Sequence, residues 1–182
     1  MINQAFLFAL RVHDGQLRKD GIPYIAHPVE VAMELARSGA GEELICAGFL
    51  HDVIEDAHVT REQLQEAFTP KVTRLVCKDS EDKSKSWEER KTKALQELER
   101  SSDRDYKMLM CADKLSNLRS IKKGHDEIGE EVWKRFKRGK DSQAWMYRGF
   151  VRALSALGGL QMYEELKQLT AEVFQEEKEA VL

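Results

Sequence analysis

The sequence predicts an all-α fold, one helical domain spanning residues 1–182. Three observations carry that expectation. Apolar residues recur at helical spacing in almost every segment, no run alternates apolar and polar residues as a half-buried strand does, and 3 prolines with 11 glycines leave little punctuation. The length suits a single domain with a substantial core and is short for two, so no second catalytic half is expected.

Each element has its own signal. Ala5, Phe6, Ala9 and Leu10 form one helical stripe that Asp14-Gly15 closes. The polar stretch QLRKDGIPYIAHP reads as a loop, and Pro28 opens a helix over 28–37, where a first turn tolerates proline. Gly39 to Gly41 end it. Residues 42–56, EELICAGFLHDVIED, read as one helix, apolar almost all round between Leu44 and Ile54 and therefore central. Thr60 with Gln63 matches a capping box for a helix at 61–68, and Thr69-Pro70 opens another at 70–77.

The charged run at 81–91 is expected to be a solvated loop feeding a helix from about Ser86 to Glu99. A second mostly apolar helix spans about Asp103 to Ile121, with Gly124 as its stop. Further helices are expected near 126–136, 141–157 and 161–179, the last two separated by Gly158-Gly159.

Charge narrows the function. With 29 Lys+Arg against 32 Asp+Glu the formal net charge is -3, so bulk attraction to nucleic acid is not expected. No segment approaches the ~20 apolar residues of a membrane span. The first helix lacks the basic start of a signal peptide, and Cys46, Cys77 and Cys111 are scattered singly, as reduced thiols are. A cytoplasmic protein is expected, with no nucleic-acid or membrane partner.

The two most apolar helices carry polar residues that need a reason. The first holds His51, Asp52, Glu55 and Asp56, and the second holds Asp113, Lys114 and Asn117. Acids are almost never buried unpaired, because an uncompensated charge costs several kcal/mol or titrates to neutrality. A divalent cation resolves the conflict by turning repelling carboxylates into ligands. His51 and Asp52 lie about 100° apart around a helix and can share one ion, while Glu55 and Asp56 follow a turn later. Asp113 and Asn117 form another i, i+4 pair, and His27 offers a further ligand from the loop edge. Imidazole mixed with carboxylate suits Mn²⁺, Fe²⁺, Co²⁺ or Zn²⁺ better than Ca²⁺.

In this order, His27, His51-Asp52 after 23 intervening residues, and Asp113 resemble the H…HD…D signature of the HD phosphohydrolase superfamily. The runs RKDGIPYIAHPVEVA (18–32), AGFLHDVIEDAHVT (47–60) and CADKLSNLRSI (111–121) are more specifically similar to the hydrolase domain of RelA/SpoT enzymes. They are also similar to the small single-domain alarmone hydrolases that include the metazoan SpoT homologue. The resemblance covers roughly residues 3–121. Ala57 stands where that family usually places Thr, Thr69-Pro70 where it commonly places Gly, and residues 122–182 carry no transferable motif.

The resemblance implies a metal-dependent HD helical bundle that hydrolyses the 3′-pyrophosphate of guanosine tetra- or pentaphosphate with one Mn²⁺ per chain. It implies His27, His51, Asp52 and Asp113 as metal ligands, and Glu55 and Asp56 positioning or deprotonating the attacking water. Arg18 and Lys19 would face base and phosphates, with Lys114 and Asn117 near the nucleotide. Two other functions fit the same residues: a phosphatase or phosphodiesterase on another phosphorylated metabolite such as NADPH, and a non-catalytic nucleotide sensor. Arg18-Lys19 also reads as a solvated dipeptide, and Tyr24 as a residue packed under the loop. Trp133, Trp145, Tyr147 and Phe150 read as a helix-packing seam, with closure of the pocket by Tyr147-Arg148 as the alternative.

Overall fold

The computed structural model describes residues 1–79 and 84–175. Among them the chain is helical with no strand, apart from an isolated antiparallel bridge between Leu17 and Pro23. Helix α1 is Ile2–Val12, α2 Ala26–Arg37, α3 Glu42–Leu50, α4 Val53–Ala57, α5 Arg61–Ala67 and α6 Pro70–Asp79. Then follow α7 Trp87–Arg100, α8 Arg104–Ile128, α9 Gly139–Ala153 and α10 Gln161–Val173, with 3₁₀ turns at Gly129–Arg135 and Ser155–Leu157. No helix among the described residues is long and apolar enough to cross a membrane.

The centre is built as the apolar pattern requires. Helix α3 packs on α1, α2, α6 and α8, and Leu44, Cys46, Ala47 and Leu50 are buried. It approaches α2 closely at Gly48, where a Cβ would lie 2.8 Å from Leu35 Cδ1 and 3.1 Å from the Ala32 Cα. Glycine at that point is what lets the two helices carrying His27 and His51 meet. Helix α8 runs behind them, buried at Leu109, Cys111, Ala112, Leu115 and Leu118, and packs on α2 and α10.

The expected cap is present, and two more accompany it. Thr60 and Gln63 form a reciprocal capping box, Ser86 and Glu89 form another, and the Asp103 carboxylate accepts from the Tyr106 amide at 3.2 Å.

Three expected boundaries are corrected. Residues 42–56 are not one helix: α3 ends at Leu50, His51-Asp52 form a turn, and α4 follows and ends at His58 in the left-handed region, φ 56. Gly124 does not stop α8. It is buried against the 3₁₀ turn, where its missing Cβ would meet Val132 Cγ2 at 2.9 Å, and α8 ends instead at Gly129, φ 59. The helix expected at 126–136 is therefore the last residues of α8 followed by a 3₁₀ turn. Residues 81–83 of the expected loop, and 176–179 of the expected last helix, lie outside the described residues.

Candidate metal centre

Four side chains from three parts of the fold come together. His27 comes from the first turn of α2, His51 and Asp52 from the turn between α3 and α4, and Asp113 from the middle of α8. Side-chain atoms of His27, His51 and Asp113 all lie within 4.8 Å of one another, and all three residues are buried. The two imidazole Nε2 atoms are 3.1 Å apart. Asp113 Oδ1 is 3.2 Å from His27 Nε2 and 3.7 Å from that of His51. Asp52 Oδ2 is 3.0 Å from His51 Nε2 and 3.5 Å from that of His27.

The outer hydrogen bonds assign the ring protons. His51 Nδ1 lies 2.9 Å from the Gly48 carbonyl, which can only accept, so Nδ1 carries the hydrogen. His27 Nδ1 lies 2.9 Å from Ser116 Oγ, and that hydroxyl donates its own hydrogen to Glu30 Oε2 at 2.5 Å. Ser116 can then only accept from the ring. Both imidazoles thus turn an Nε2 lone pair inward, onto each other and onto two carboxylate oxygens. Four electron-rich atoms packed this way require positive charge between them.

A divalent cation fits. Donors about 2.0–2.2 Å from one ion are about 3.0 Å apart at right angles and about 3.4 Å apart at tetrahedral angles. The spacings among His27, His51 and Asp113 are close to these, while Asp52 approaches the two imidazoles from outside that trio. Without a cation, a proton has to serve. Burial alone would lower the His51 pKa, but the Asp52 and Asp113 carboxylates outweigh it and hold the ring well above its ordinary value. Burial would likewise raise both acids. The His51 charge and the imidazole hydrogen bonds hold Asp52 well below the usual carboxylate range, and Lys114 with the two imidazoles does the same for Asp113.

A cavity of about 810 Å³ opens over this cluster, within the ~300–1,000 Å³ range of small-molecule sites. His27, Asp52, Asp56 and Asp113 line it together with Arg18, Lys19, Lys91, Lys114 and Arg135. Five basic side chains beside the His/Asp cluster give the cavity a positively charged lining. Arg18 donates to Asn117 Oδ1 at 3.3 Å, and Asn117 Nδ2 donates to Asp113 Oδ1 at 2.6 Å. Lys114 donates to Asp113 Oδ2 at 2.5 Å and lies 5.0 Å over the Phe150 ring. Lys19 stands farther off, 4.2 Å over Phe136, and burial followed by Lys137 lowers its pKa.

The two expected acid–base residues part company. Asp56 faces the large cavity, whereas Glu55 faces a smaller one that shares Asp52 and Asp113. Both stand on α4, where adjacent side chains diverge by about 100° around the axis.

Several cavity residues were not singled out from sequence. Tyr24 was read as packing, yet its hydroxyl contacts Asp52 Oδ2 at 2.5 Å and Asp56 Oδ2 at 2.8 Å. Burial, then those carboxylates, push the phenol far above its ordinary pKa and keep it a donor. The signal was available: Tyr24 precedes His27 by three residues, one turn along the chain into α2. The expected aromatic seam also divides. Tyr147 is buried, stacks on Phe174 and lines the cavity, while Trp145 stands partly exposed against Trp87. Arg135, Phe136, Gln143 and Met146 come from the stretch without a motif and close the cavity's far wall.

Comparison with known proteins agrees with this arrangement. The family model described as HD domain matches residues 5–138. The chain belongs to the HD domain family. Among relatives of that family, a GTP pyrophosphokinase of Myxococcus xanthus is 35% identical over 139 residues, which is 72% of this chain and 18% of that protein. A probable guanosine-3′,5′-bis(diphosphate) 3′-pyrophosphohydrolase of Synechocystis is 36% identical over 143 residues, 76% of this chain and 18% of that protein. The chain therefore spans under a fifth of the length of these relatives.

Two solved structures share the fold over far more of their length. A protein of Listeria monocytogenes superposes with a TM-score of 0.78 at 34% identity, covering 82% of this chain and 99% of that one. A metazoan ortholog of SpoT, described as hydrolysing ppGpp, superposes with a TM-score of 0.80 at 26% identity, covering 94% of each chain.

Proposed function

We propose that this HD-family protein is a guanosine 3′,5′-bis(diphosphate) 3′-pyrophosphohydrolase, a metal-dependent hydrolase that releases pyrophosphate and uses one Mn²⁺ per chain. The observation that carries the proposal is the pair of inward Nε2 lone pairs and two carboxylates at the floor of a basic, nucleotide-sized cavity. The names of the Synechocystis and metazoan relatives point to the same substrate, and residues 1–182 are read as one domain because α10 packs on the helix that carries Asp113.

His27, His51, Asp52 and Asp113 would hold the ion. When bound, it neutralises phosphate oxygens and lowers the pKa of water. The remaining work falls to the chain itself. Asp56, facing the large cavity and tethered through Tyr24, takes a proton from the attacking water, and Glu55 supports it from the far side of Asp52. General-base assistance of this kind is worth about 10²–10⁴ in rate. Arg18 is held by Asn117 within the cavity wall, so its guanidinium is oriented toward the nucleotide; its planar face also suits stacking on a purine. Lys19 and Lys114 add positive charge around the phosphates. Tyr147 and Phe136 exclude water from the far wall. The cavity is read as that of a cytoplasmic enzyme acting on a free nucleotide.

The test is incubation of Mn²⁺-loaded protein with guanosine tetraphosphate, following pyrophosphate and guanosine diphosphate. Equimolar release of both is expected. Absence of release, with turnover of NADPH or another nucleotide, would transfer the same chemistry to that substrate.

A further inference from the structure

The large cavity is one of two that reach the cluster. A second, of about 270 Å³, shares Asp52, Asp113, Lys91 and Lys114 with the first and lies toward α7 and α6. It is below the ~300 Å³ at which ligand pockets usually begin, too small for a nucleotide. Six basic side chains line it: Lys78, Lys85, Arg90, Lys91, Lys93 and Lys114. Five acids share the lining: Glu89 caps Ser86 at 2.9 Å, Glu97 lies 3.7 Å from Lys93, Asp113 accepts from Lys114 at 2.5 Å, and Asp52 and Glu55 complete the set.

Resting on the reading above, we propose that this second cavity binds inorganic pyrophosphate, the smaller product, while the nucleotide product still occupies the first. The chemistry generates two anions at one point. Oxygen from water bonds to the phosphorus attached to the ribose 3′ oxygen, the bond between that phosphorus and the 3′ oxygen breaks, and the 3′ oxygen takes the proton. One product keeps the base and the 5′ phosphates, and the other is a compact polyanion. Lys91 and Lys114 stand where the cavities meet and hand the anion from one to the other. Lys78, Lys85 and Lys93 attract it onward, because several ammonium groups in a partly enclosed space focus the field on a small anion.

The proposal requires that pyrophosphate and nucleotide be held at the same time. Metal-loaded protein, dialysed free of excess metal, is titrated calorimetrically with inorganic pyrophosphate, with and without saturating guanosine diphosphate, and metal content is measured afterwards. One pyrophosphate per chain is expected, its affinity changed less than about twofold by the nucleotide. The Lys85→Glu/Lys93→Glu variant, altered at two exposed positions away from the large cavity, should bind pyrophosphate at least about tenfold more weakly. Displacement of pyrophosphate by guanosine diphosphate overturns the proposal, as does unchanged affinity in the variant. Neither result depends on turnover, so failure of the substrate assignment registers separately, as absent pyrophosphate release from guanosine tetraphosphate.

Discussion

Replacing Ser116 with alanine tests whether the ring protons are fixed as the hydrogen bonds imply. Ser116 is buried and touches no cavity, yet its hydroxyl is the acceptor for His27 Nδ1 and the donor to Glu30. Without it, the Nδ1 hydrogen has no partner, and His27 gains by shifting that hydrogen to Nε2 and withdrawing its lone pair from the cluster. Partners of this kind typically change metal affinity about 10–100-fold, or about 1.4–2.7 kcal/mol. The loss of one methyl-sized polar group should leave the fold intact. Competition for Co²⁺ or Zn²⁺ against a chelating dye measures the effect directly. Thr73→Ala is the matched comparison, since Thr73 is equally buried and its Oγ1 has no hydrogen-bond partner. It should change metal affinity by less than about twofold. Equal affinities in Ser116→Ala and the wild type would refute the tautomer assignment.

Other outcomes follow from the same geometry. Asp113→Ala should remove the metal, while Asp56→Ala and Glu55→Ala should keep it and lower kcat, Asp56→Ala by about 10²–10⁴; elemental analysis beside steady-state kinetics separates the roles, and equal metal loss in all three contradicts them. Tyr24→Phe releases Asp52 and Asp56 from their shared donor and should lower kcat about 10-fold or more with little change in KM. Metal binding at neutral pH should release protons, because the raised His51 pKa leaves that ring protonated in the metal-free protein; calorimetry in buffers of different ionisation enthalpy reads the number, and zero would contradict it. In the metal-free protein, the stabilisation from His51 is complete below the unfolded imidazole pKa of about 6.5 and is lost as pH rises through the raised value. That from Asp52 and Asp113 is present above about 3.9 and lost as pH falls through their depressed values.

Much of this was legible before any coordinates. Buried-looking acids in apolar helices pointed to a cation, and of the four candidate ligands the folded chain gathers His27, His51 and Asp113 within 4.8 Å, with Asp52 beside the two imidazoles. Capping at Thr60, Ser86 and Asp103 obeyed local rules, because a cap is decided within four residues. The turn at His51-Asp52 was not legible, since both residues continue a helical pattern. It forms because the His51 ring takes the Gly48 carbonyl and faces a partner 24 positions earlier in the chain, which is a tertiary demand. Gly124 misled for a related reason: a glycine in α8 reads as a stop, but here it makes room for Val132 and Arg135. The separation of Glu55 from Asp56 follows from the step of about 100° between neighbours on one helix. The cavity wall from Val132 to Tyr147 carries no motif, because what it supplies is shape and charge, and many residue orders supply those equally well.

One measurement bears most directly on the centre. Crystals grown with Mn²⁺ and recorded at the manganese edge should show a single strong anomalous peak per chain, bonded to Nε2 of His27 and of His51 and to carboxylate oxygens of Asp52 and Asp113. A peak coordinated by other residues, or none at saturating metal with the site intact, would contradict the assignment.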